Sequence, residues 1–230
     1  MEYKDYLVLL ENSLDQKTSV FNKKLISTNY KILGTKLPYL RAVAREIIKN
    51  GDASVILNNN NFTYYEEILL YGFVLAGVKM DEDERIKIID EYVDCFDNWS
   101  NVDSFCSSLK SVKNNKALYL NFIKKCIIDK NDFKVRVGVV LLMDYYIKEP
   151  NLHEILALAL SAQNESYYIQ MALAWMFATS FAFNYDETLN FMCEKKDAID
   201  NFVLRKTISK CNDSFRISSE HKKEIKQLLS

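Results

Sequence analysis

Apolar side chains return every three or four positions in "PYLRAVAREIIKNG", residues 38–51. The pattern predicts an α-helix with Pro38 in its first turn and a stop near Gly51. A polar loop, "NNNN" at 58–61, follows. "TYYE" then sets Thr63 and Glu66 at capping-box spacing and opens an apolar helix that runs to about Gly77. In "MDEDERIKIIDEYVDCF" the acids crowd a first turn, where they complement the helix dipole. This helix reads as the partner of the one before it.

From here the pattern repeats. Apolar segments start near Phe62, Asp97, Asn131, Glu165 and Asn201, 34 to 36 residues apart, and a second helix-like stretch follows each. That period suits a helix-turn-helix unit whose copies stack and bury one another's apolar faces. Identity between the units is low, which points to HEAT-like repeats rather than strictly periodic ones. The expected fold is all-α, a curved α-α superhelix (solenoid) of about six helical pairs. It would form a single domain over residues 1–230, with the concave side as binding surface. A globular helical bundle is the alternative.

Composition supports the helical reading and narrows the chemistry. Two prolines and five glycines in 230 residues are few breakers, and a hydrophobic fraction of 49% indicates a globular chain. No cationic-then-apolar leader opens the sequence and no uncharged apolar run approaches the length that spans a bilayer, so a soluble, cytoplasmic protein is expected. The five cysteines form no CxxC and there are only two histidines, which argues against a zinc site or disulfide framework and for buried, reduced thiols.

The net charge of -1 argues against nonspecific nucleic-acid binding, but its distribution argues otherwise. Eight basic residues stand between Lys17 and Lys49 against Glu46 alone, and eight more between Lys110 and Arg136 against Asp129 and Asp132. The tail adds Arg205, Lys206, Lys210, Arg216, Lys222, Lys223 and Lys226 against three acids, whereas residues 51–109 are acidic. Segregation of this kind allows one basic face on a neutral protein. Helices with solvated charges that never converge are the alternative.

"DNWSNVDSFCSSLK", residues 97–110, places Trp99 and Asp103 four positions apart, on one face of a helix. Arg136 lies on the next repeat-leading helix and Trp175 on the one after, so equivalent helices would bring all four to one inner surface. Each has a structural alternative. Asp103 suits an N-cap for "SFCSSLK", Trp175 a place in the core, and Arg136 an ion pair with a neighbouring repeat.

Taken in order, "DNWSNVDSFCSSLK", "DFKVRVGVVLLMDYY" and "YYIQMALAWMFATSF" resemble the DNA alkylation repair family typified by the AlkD-type alkylpurine DNA glycosylases, which are HEAT-like solenoids. The family's Trp, Asp one turn later, Arg on the following repeat and second Trp fall on Trp99, Asp103, Arg136 and Trp175. Its Gly-x-x-x-Pro-x-x-Arg segment falls on Gly34, Pro38 and Arg41, and the resemblance covers about residues 30–215. It implies hydrolysis of the N-glycosidic bond of N3- or N7-alkylated purines in duplex DNA. Asp103, Trp99 and Trp175 would be catalytic, and Arg136, Arg41, Arg205 and Lys206 would bind DNA. No metal or organic cofactor is implied, and a monomer is expected. Two alternatives stand beside the glycosylase. One is a DNA-binding relative without excision, because "SVFNKKLISTNYKILG" departs from the aromatic and basic helix that active glycosylases carry ahead of the glycine. The other is a solenoid whose concave face takes a peptide.

Overall fold

In the computed structural model, which describes residues 1–229, the chain is helical throughout, and no strand forms among the described residues. It divides into two compact units, Met1–Leu118 and Tyr119–Ser230. The first holds α1 (Tyr3–Asn12), α2 (Gln16–Leu25), α3 (Leu37–Lys49), α4 (Ala53–Leu57), α5 (Tyr65–Gly77), α6 (Glu82–Tyr92) and α7 (Trp99–Cys106). The unit boundary falls inside α8 (Lys116–Ile127). The second unit continues with α9 (Asp132–Tyr145), α10 (Leu152–Leu160), α11 (Tyr167–Phe183), α12 (Tyr185–Glu194), α13 (Asn201–Asp213) and α14 (Ser219–Lys226).

The predicted period reappears in the helix starts. The leading helices α5, α7, α9, α11 and α13 begin at residues 65, 99, 132, 167 and 201. Within the first unit α5 packs between α3 and α7; within the second, α11 packs between α9 and α13. A helix flanked on both sides must be apolar nearly all round. Accordingly, every position from Tyr65 to Leu75 of α5 is buried; so is every position from Val135 to Met143 of α9, which packs against α10 and α11.

Local signals place the helix ends, with one correction. Pro38 sits in the first turn of α3, and Gly51 follows its C-cap. The box that opens α5 is closed by Glu67 rather than Glu66, since the Glu67 carboxylate accepts from the backbone N–H of Thr63 (2.7 Å) and Tyr64 (2.6 Å). Glu66 turns inward instead. Asp81 caps α6 by accepting from Asp83 and Glu84 N–H, both at 3.1 Å. The pairing of α6 with α5 is direct: buried Arg85 donates to the carbonyls of Leu75 and Val78 at the C-terminal end of α5. Gly72 lets Tyr92 approach α5, because a Cβ there would stand 2.4 Å from the Tyr92 hydroxyl, which donates to the carbonyl of Ile68.

Cys106, Cys126 and Cys211 are buried as expected; Cys95, only partly buried, and Cys193, exposed, depart from that expectation. No described helix is long and apolar enough to cross a membrane.

Candidate functional site

Trp99 begins the eight-residue helix α7, and the residue before it is the cap: Asn98 accepts from the N–H of Ser100 (3.0 Å) and Asn101 (3.1 Å). Asp103 is therefore a mid-helix residue, and the N-cap alternative for it falls away. Trp99 and Asp103 share a face one turn apart, and both are half-buried.

The indole is held from outside its own helix. Its Nε1–H donates to the carbonyl of Leu25, 3.2 Å away. Beside it, the Asp97 carboxylate accepts from the Thr28 hydroxyl (2.9 Å) and the Asn29 N–H (2.7 Å). Both contacts latch α7 to the segment that ends α2. The other end of α2 packs on Gly34, whose φ of +92° falls in the left-handed region and whose hydrogen faces the first turn of α2. A Cβ at this position would come within 2.4 Å of the Asp15 carbonyl oxygen and the Ser19 nitrogen. Buried Glu66 fixes the same loop by accepting from the N–H of Leu33 (3.0 Å) and Gly34 (2.7 Å). Burial pushes the Glu66 carboxyl above the usual glutamate range, and the backbone donors Leu33 and Gly34 oppose that rise.

With α2 so placed, Trp99, Tyr65, Leu69, Pro38, Phe21 and Leu25 line a largely apolar cavity of about 530 Å³. The stretch ahead of Gly34 is thus helical only as far as Leu25, within α2, and that helix carries Lys17, Lys23, Lys24 and an exposed aromatic, Phe21; residues 26–34 are irregular. Arg41 is half-buried against the far end of α7. Its Nη1 donates to the Ser108 hydroxyl (2.7 Å), and its guanidinium lies 4.2 Å from the centre of the Phe73 ring. Burial first, and Arg45 second, pull its pKa down.

In the second unit Arg136 is 5% exposed on α9 and donates from Nη1 to the carbonyl of Tyr168 at 2.7 Å. Trp175 lies two turns further along α11. It is half-buried rather than part of the core, and it walls a cavity of about 480 Å³ with Lys210, Asp213, Phe215 and Arg216. Arg205 is exposed on α13, and the Lys206 ammonium lies 5.3 Å from the Phe202 ring centre. Neither lines the Trp175 cavity. The cations that do, Lys210 and Arg216, were not singled out from the basic tail, although Lys210 stands one helical turn beyond Lys206.

A family model described as DNA alkylation repair enzyme matches residues 8–211. The chain belongs to that family. No curated protein and no solved structure matches it significantly. The match reaches upstream of the stretch carrying the sequence resemblance and includes α2, so the segment ahead of Gly34 is part of the family domain. It stops at Cys211, before Phe215 and Arg216. Membership in the DNA alkylation repair family gives the protein a role in repairing alkylated DNA, with DNA as its partner.

Proposed function

We propose that the protein is a monofunctional DNA glycosylase that acts, as a monomer, on N3- or N7-alkylated purines in duplex DNA. The observation that carries this reading is the Trp99–Asp103 pair: a half-buried aromatic face and a half-buried carboxylate one turn apart on α7. Alkylation at N3 or N7 leaves the purine cationic and weakens its bond to the sugar. An indole face beside such a cation contributes roughly 0.5–2 kcal/mol. As the bond breaks, its electron pair passes to the purine and discharges it, while C1′ of the sugar becomes oxocarbenium-like. The Asp103 carboxylate stabilises that charge and orients water, whose hydroxyl adds to C1′ as its proton is released. Trp175 is the second tryptophan to which the family resemblance gives a catalytic role. Arg136, buried and donating from Nη1 to the Tyr168 carbonyl, is the residue to which the family resemblance gives a backbone phosphate contact, with Arg41, Arg205 and Lys206 as further basic contacts.

The alternative of a relative that binds without cutting arose from the stretch ahead of Gly34. The first part of that stretch lies in α2, a helix that carries Phe21, Lys17, Lys23 and Lys24, which favours the glycosylase. The deciding assay incubates purified protein with methylated duplex DNA and measures free 3-methyladenine and 7-methylguanine. Wild type is expected to exceed Asp103→Asn by at least roughly a hundredfold; release no greater than that of Asp103→Asn sinks the enzyme reading. Affinity for duplex should fall steeply with salt as phosphate contacts release counterions. Arg136→Lys, which keeps the charge but loses the fork, should weaken binding to intact and alkylated DNA alike.

A further inference from the structure

Phe215 is fully exposed, an unusual place for a large apolar side chain, and it stands between two polar helix ends in the turn from α13 to α14. It is not isolated. It shares the 480 Å³ cavity with the half-buried ring of Trp175, and cations rim that cavity: Lys210 from α13 and Arg216 next to Phe215. The Arg216 guanidinium lies 5.6 Å from the centre of the Phe183 ring, over which the Lys148 ammonium also sits at 4.2 Å. Two aromatic faces around an open cavity, bordered by positive charge, match a nucleic-acid strand in both of its parts: bases stack on rings, and phosphates meet cations. Asp213 sharpens the match. Its carboxylate also lines the cavity, where it would repel a phosphate but accepts from the amino group on a base edge.

We infer that this cavity receives one unstacked nucleobase of the DNA, stacked on Phe215 beside Trp175, with Arg216 and Lys210 meeting the adjoining phosphates. The inference rests on DNA as the partner and on Trp175 facing it, and it does not require base excision. It goes beyond the family domain, since Phe215 and Arg216 lie past the matched residues.

The test measures affinity of the full-length chain for a single-stranded oligonucleotide and for its fully paired duplex, across a salt series. Because Phe215 contributes nothing to the core, its variants should fold normally. Phe215→Ala and Phe215→Leu are expected to lose roughly fivefold to 150-fold in affinity for the single strand, as removal of one stacking partner does, with the salt slope unchanged. Phe215→Trp should restore binding. Arg216→Ala should instead flatten the salt slope by about one. Wild-type affinity in Phe215→Ala overturns the proposal, as does an equal loss for single strand and paired duplex, because a paired base has no free face to stack. Base release from methylated duplex is measured in parallel. Absence of release with Phe215-dependent binding retained fails the glycosylase reading alone; release intact with no Phe215 effect fails this proposal alone.

Discussion

The two tryptophans occupy opposite kinds of setting. Trp175 belongs to a 17-residue helix that is buried along most of its length, so its backbone is fixed by packing against α9 and α13. Trp99 opens a helix of eight residues, too short to be stable on its own propensity, and its ring is held by a carbonyl 74 residues away in sequence. The first is positioned by its own element. The second is positioned by a chain of tethers running from Glu66 and Gly34 through α2 to Leu25. The cavities differ in the same sense: the one at Trp99 is lined mainly by apolar side chains from several elements, the one at Trp175 is open and charged.

Gly34→Ala should break this contrast hardest. A side chain there meets both left-handed backbone strain and the backbone of α2, at a cost of about 2–4 kcal/mol. With Trp175 replaced by Phe, the remaining Trp99 emission should shift towards that of a solvated indole. With Trp99 replaced instead, Trp175 emission should stay put; an equal shift in both would show that the tethers are not what separates them.

Arg136→Met comes next. It strips the Tyr168 carbonyl of a charged donor, and urea unfolding should register a loss of roughly 1–3 kcal/mol without the Trp99 shift. Asn98→Ala removes two capping hydrogen bonds from α7, and thermal melting should report a loss of about 1 kcal/mol. Were α7 held by packing as α11 is, this cap would matter little.

The smallest effect is a pH slope. With its carboxyl raised by burial, Glu66 binds a proton more tightly in the folded protein than in the unfolded chain. Its contribution to stability is fully present below the ordinary glutamate pKa and is lost as pH rises through the raised value. Urea midpoints followed from acidic to neutral pH should show this decline in wild type and lack it in Glu66→Gln.

The parts of the molecule legible in the sequence are those governed by neighbours along the chain. The 34-residue period of the leading helices, the acidic start of α6 and the shared face of Trp99 and Asp103 all follow from side chains within one helical turn or one repeat. Where a local signal had a competitor, it misled. Asp103 sits at a position that suits a cap, but Asn98 was the better one, and Glu66 had box spacing, but Glu67 closes the box.

Sequence alone therefore determined an all-helical chain, its repeat spacing and the residue types that mark a DNA alkylation repair protein. Tertiary structure decided which side chains those residues meet. Trp99 meets Leu25, Gly34 meets the first turn of α2, Glu66 meets the loop before α3, and Trp175 shares a cavity with Lys210, Phe215 and Arg216. The reason is range: helical periodicity is written in contacts three and four residues apart, whereas these contacts join residues that only the packing of separate helices brings within reach.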